Sequence, residues 1–168
     1  MHTEKQNTWD RIKAKVDRNC DALKMPIDEG IKETVIVLNA LGFKTVMSCE
    51  GHLDRALLCP WVWFSLEGSQ NQTLEKSASH ALRMIDLLEE FYDNRKPLKY
   101  GRVSLDLVGK GDFRIGSAVR RYAKDIKTED PALYETIHHN SVSEMKDFTE
   151  FLKKKFWNPP YSLNTNQC

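Results

Sequence analysis

Trp9, Ile12, Val16, Cys20 and Leu23 recur at spacings of three and four with Lys and Arg between them. That is the period of one buried helix face, and Thr8 is placed to cap it. Pro26 ends this helix, and Asp28 starts a second, with Ile31, Val35, Leu38 and Leu41 as its buried stripe. Gly42 sits where a left-handed helix cap is expected, and Thr45, Val46 and Met47 read as a short strand leaving it. Beyond the loop Ser48 to Arg55, the run Trp61, Val62, Trp63, Phe64 follows Pro60 and is dense in β-favouring residues, which makes it the partner strand.

After a polar stretch over Gly68 to Gln72, Ala78, Leu82, Ile85, Leu88 and Phe91 or Tyr92 mark one face of a long helix between Leu74 and Tyr92. Val103, Leu105 and Leu107 alternate with Ser104, Asp106 and Val108, the period of a strand with one face in a core. Gly109 to Asp112 is a turn by composition, leading to a second strand at Phe113, Arg114, Ile115. A short basic helix is predicted over Ala118 to Ile126, and one broken or two consecutive helices from Pro131 to Trp157. Helix pairs beside hairpin-like strand pairs predict a single α+β domain over residues 1–157, with a mainly antiparallel sheet flanked by helices. Residues 158–168 read as a polar C-terminal tail.

Composition narrows the class. A chain of 168 residues with 40% apolar and 29% charged positions is globular, long enough to bury a core without staples. The longest apolar run, Thr34 to Leu41, is too short to span a bilayer, and Met1 to Asp10 is too polar for a secretion signal, so a cytoplasmic location with no membrane partner is expected. The 25 basic and 24 acidic residues nearly cancel, which argues against a protein that coats nucleic acid by charge. Cys20, Cys49, Cys59 and Cys168 are spread along the chain, as thiols or ligands rather than a disulfide framework.

Chemistry concentrates in one loop. Ser48, Cys49, Glu50, Gly51 and His52 bring a hydroxyl, a thiol, a carboxylate, a flexible backbone and an imidazole together directly after a strand. Gly51 lets neighbouring N–H groups turn inward on an anionic oxygen, with His52 adding a donor or a proton. If the protein is an enzyme, Glu50 is the candidate base and His52 the proton carrier. The plainer account has Ser48 capping a turn, Cys49 packed as a small hydrophobe and Glu50 solvated, which leaves His52 unexplained. Cys49, His52 and Cys59 also have metal-ligand chemistry, the first two spaced like one arm of a zinc site. The second arm is missing, since a fourth ligand would have to come from Cys20, His80, His138 or His139, so no metal and no cofactor is assigned.

The stretch Ile31 to Phe64, with Val35, Leu38, Asn39, Gly42, Thr45, the run Ser48 to His52 and then Pro60, Trp61 and Val62, resembles a group of small phage and bacterial proteins of unassigned function. The strand and loop are more distantly similar to the tRNA wybutosine-synthesis methyltransferase family, in which Ser, Cys, Ser, Gly, Arg occupy the loop. Glu50 and His52 depart from that pattern, so methyl transfer is not carried across. What the resemblance implies is a loop used for a ligand and a phage or mobile-element origin.

A second patch follows. Arg114, Arg120, Arg121 and Lys124 cluster after the turn, and arginine forks suit phosphate or carboxylate oxygens, with a solvated basic face as the alternative. Trp61 and Trp63 share one strand face and are expected either to stack a base or sugar or to pack in the core. His138 and His139 are expected on or beside a helix, at the surface. The leading expectation is a site for a phosphorylated, nucleotide-like anionic ligand, with the loop and Arg114 holding the charge and an aromatic residue holding the ring. A phage protein sequestering a nucleotide immune signal fits that reading by analogy. The alternatives are a hydrolase or phosphodiesterase in which His52 and Glu50 move protons, with or without zinc, and a partner-binding protein using the basic segment 114–127. A homo-oligomer is left open.

Overall fold

The alternation read in Trp61 to Phe64 becomes the inside of a sheet. In the computed structural model, which describes residues 2–20, 24–54, 57–65, 74–109, 111–122, 126 and 129–158, four strands are formed: β1 (Lys44–Cys49), β2 (Trp61–Ser65), β3 (Val103–Gly109) and β4 (Asp112–Ser117). They lie in the order β1-β2-β4-β3, every neighbouring pair antiparallel. The helices are α1 (His2–Arg18), α2 (Glu29–Ala40), α3 (Leu74–Tyr92) and α4 (Pro131–Trp157), with a 3-10 turn at Ala118–Tyr122. This is the mixed α+β domain with an antiparallel sheet that the periodicity predicts.

Directly opposed residues share a face. Val62 opposes Ile115, which opposes Leu105, and Phe64 opposes Phe113. This inner face carries the main core, where Val62, Phe64, Phe113 and Ile115 meet Ile31, Val35 and Leu38 of α2, Met84, Leu88 and Phe91 of α3, and Met145, Phe148 and Leu152 of α4. The order β1-β2 and β3-β4 comes from local connections, whereas the β2–β4 seam joins distant parts of the chain.

Several elements differ from expectation. Helix α1 extends back to His2, so Thr8 lies inside it rather than at its cap, and Cys20 lies beyond it in an isolated bridge with Pro26. Lys5 holds α1 to the end of α4 by donating to the carbonyls of Phe156 and Trp157 at 2.9 and 3.2 Å. In α3 the buried stripe is Met84, Leu88 and Phe91, while Leu82 is 59% exposed. Leu82 and Ile85 lie on the flank of that helix turned to solvent, and the core takes the Met84 side. Helix α4 is a single unbroken helix capped by Asp130, whose side chain accepts from the Leu133 N–H at 2.9 Å. The predicted basic helix is realised as the 3-10 turn, and Lys124 lies outside the described residues, as do the polar stretch 68–72, the tail from 159 and its Cys168.

Strand β1 is an edge, and its register slips between Thr45 and Met47, so Val46 is an extra residue and both Val46 and Met47 are 53% exposed. Asn39 steadies this strand against α2 by donating to the Thr45 hydroxyl at 2.7 Å. No helix among the described residues is long and apolar enough to cross a membrane.

Candidate functional site

Helix α2 begins with an exchange of partners. An Asp at this position ordinarily turns its carboxylate onto an N–H in the first turn of its own helix. Asp28 makes no such bond. The N–H of Gly30 is taken by Glu50, which reaches across from the end of β1 and accepts at 2.7 Å through Oε2. The loop thereby supplies the negative charge that the positive end of a helix favours. Gly30 makes room for it, since a Cβ there would stand 2.7 Å from that same oxygen. Asp28 is left facing the loop, where its Oδ2 accepts from the Glu50 N–H at 3.3 Å.

Gly51 shapes the rest. Its φ is +85°, and a Cβ would lie 2.5 Å from the Leu58 carbonyl and 2.9 Å from the Pro60 nitrogen, so a glycine is required twice over. Its N–H points to Cys49 Sγ at 3.4 Å, and the His52 N–H closes the loop on the Leu57 carbonyl at 2.8 Å. The His52 ring then lies between two carboxylates, with Nε2 3.5 Å from Asp28 Oδ2 and Nδ1 3.9 Å from Glu50 Oε1. One donor atom each from Asp28, Cys49 and His52 falls within 4.8 Å of the others. Ser48 is half-buried on the inner row, opposite Val62.

This geometry changes the expected chemistry of the loop. Glu50 occupies the terminus of α2, and the Gly51 N–H, expected to turn inward on an anionic oxygen, points instead to Cys49 Sγ. Two carboxylates now stand around one imidazole, which gives the loop acidic surroundings.

Cys59, expected beside Cys49 and His52 as a ligand, lies in a different environment. Ser141 donates to its sulfur at 3.5 Å, and it packs with Leu58, Tyr134 and Ile137. Burial pushes its thiol pKa up, against hydrogen bonds from Ser141 and Ser117 and the charge of Arg120. Its place in the group is taken by Asp28, which reads in the sequence only as a helix start. Among the described residues none of the other candidates joins the group. Cys20 is exposed. His80 packs 5.9 Å from the Phe43 ring, where burial lowers its pKa. His138 is half-buried, its Nδ1 2.8 Å from the Leu58 carbonyl, while His139 is exposed.

The outer sheet face starts where the loop ends, because Cys49 opposes Trp61. Trp61 in turn opposes Gly116, and the next row is Met47, Trp63, Arg114 and Asp106. Trp61 and Trp63 therefore share one face, as the sequence predicts, and Arg114 joins them there with its guanidinium 5.9 Å from the Trp61 ring. Trp61 is only 7% exposed, so it presents no open ring face for stacking. The indole N–H groups of Trp61 and Trp63 are both buried with no acceptor among the described residues. The Arg120 side chain is largely buried, paired with Asp106 of the same row and donating to the Ser117 carbonyl at 3.0 Å.

No family model, curated protein or solved structure matches the chain. What the site does is read from its own geometry.

Proposed function

We propose that the chain binds a phosphorylated, nucleotide-like small molecule on the outer face of the sheet, beside the Ser48 to His52 loop. The observation that carries this reading is the pair of indole N–H donors, Trp61 Nε1 and Trp63 Nε1, buried on one face without an acceptor among the described residues. A buried donor left without a partner costs about 1 to 3 kcal/mol, and a ligand rich in acceptor oxygens relieves that cost. Arg114, in the same row as Trp63, adds positive charge of the geometry that suits phosphoryl oxygens. In this reading the tryptophans serve as donors, with half-buried Trp63 flanking the ligand ring, and the loop borders the site instead of holding the anion.

The test is a panel of nucleoside monophosphates, diphosphates and cyclic nucleotides followed by calorimetry and tryptophan fluorescence. At least one member gives heat and quenching with the wild type. Trp63→Phe, which keeps a ring and removes the N–H, weakens it about tenfold, the equivalent of one lost hydrogen bond of about 1.4 kcal/mol. A panel without heat or fluorescence change overturns the reading.

A further inference from the structure

The group at the start of α2 has the composition and spacing of a transition-metal site, and we infer that Asp28, Cys49 and His52 bind a zinc ion. Carboxylate oxygen, thiolate sulfur and imidazole nitrogen are all zinc ligands, and three protein ligands leave a fourth position for solvent. Ligand atoms about 2.0 to 2.3 Å from a tetrahedral zinc stand about 3.3 to 3.6 Å from one another. The His52 Nε2 to Asp28 Oδ2 separation of 3.5 Å is already in that range, and no pair in the group is wider than 4.8 Å. A side-chain adjustment of about an ångström closes the set.

Three further features fit a metal. The Gly51 N–H directed at Cys49 Sγ at 3.4 Å stabilises negative charge on the sulfur, the form that binds metal. Glu50 lies behind His52, with Oε1 3.9 Å from Nδ1, in the place of the carboxylate that commonly orients a metal-bound histidine through its second nitrogen. Glu50 is itself held by Gly30 at 2.7 Å, and by doing so it leaves Asp28 free of its capping duty. A cation at the centre also offsets two carboxylates crowded against one ring. The inference is independent of the nucleotide reading, because metal binding is measured with no other ligand present.

The experiment is titration of the chelator-stripped full-length protein with cobalt(II), followed by displacement with zinc. Binding of one cobalt per chain gives the intense visible bands of a four-coordinate ion together with a near-ultraviolet sulfur-to-cobalt charge-transfer band, and equimolar zinc bleaches both. Cys49→Ser abolishes the charge-transfer band, whereas Cys59→Ser retains it. Asp28→Asn, a change at a partly exposed side chain that keeps the testing possible if Cys49→Ser does not fold, weakens cobalt binding by at least about tenfold. Glu50→Gln weakens binding about tenfold with the charge-transfer band in place, as expected for a residue acting through His52. Absence of the bands in the wild type, a band that survives Cys49→Ser but not Cys59→Ser, or unchanged affinity in Asp28→Asn overturns the inference.

Discussion

Cys49 and Cys59 stand at the two ends of one loop, both buried and neither in a disulfide, yet their surroundings are opposite. Cys49 receives a backbone N–H and faces an aspartate and a histidine. Cys59 is wrapped by Leu58, Tyr134 and Ile137, and burial keeps its thiol protonated to higher pH. Between them the backbone of Gly51 packs closely against Leu58 to Pro60, and the His52 N–H donates to the Leu57 carbonyl. Burial therefore does not determine what a thiol does. The groups turned toward it matter as well, a carboxylate and an imidazole for Cys49 against serine hydroxyls and apolar side chains for Cys59.

The sharpest way to break this division is Gly51→Ala. The new Cβ would lie 2.5 Å from the Leu58 carbonyl on a residue with φ of +85°, so backbone strain and the clash together cost about 3 kcal/mol or more. Denaturant unfolding reports the loss, and cobalt titration of the same variant shows the Cys49 side disrupted with it. A smaller effect is expected from Cys59→Ala, which leaves Ser141 and the apolar wall in place around a small void. A loss of about 1 to 2 kcal/mol, seen as a shifted urea midpoint with unchanged slope, is the expected outcome.

The smallest effect is the pH dependence. Cys59 is raised above its ordinary value of 9.0 in the folded chain. Above the ordinary range the unfolded chain has released the thiol proton and the folded chain has not, so the unfolded state binds fewer protons and stability falls as pH rises. Tyr134, raised by burial and by the nearby charges of Cys59 and Asp54, adds to this at higher pH. Urea midpoints between about pH 8 and 10 should decline in the wild type and decline less in Cys59→Ala. An equal decline in both would assign the alkaline sensitivity to other groups.

Much of the fold is legible in the sequence because its signals are periodic. Val62 and Phe64 against Trp61 and Trp63, and Leu105 against Ser104 and Asp106, separate the two faces of the sheet by alternation alone. The α3 stripe is less legible, since Leu82 and Ile85 compete with Met84 for the same description and only packing decides. Within the site, the loop from Ser48 to His52 announces itself by density of chemistry. Asp28 does not. An aspartate before a helix already has an ordinary explanation as a cap, and only the approach of Glu50 to Gly30 shows that the cap is provided from elsewhere. The burial of Trp61 is equally hidden, because period assigns a face but not what covers it.

The bulge in β1 has a consequence for how copies of the chain meet. An edge strand offers a row of backbone donors and acceptors to any second strand, and exposed Val46 and Met47 would add an apolar incentive to such pairing. The extra residue between Thr45 and Met47 puts that row out of step with a regular strand. Edge-to-edge pairing of copies through β1, the first step toward aggregation, is thereby discouraged by a single inserted position.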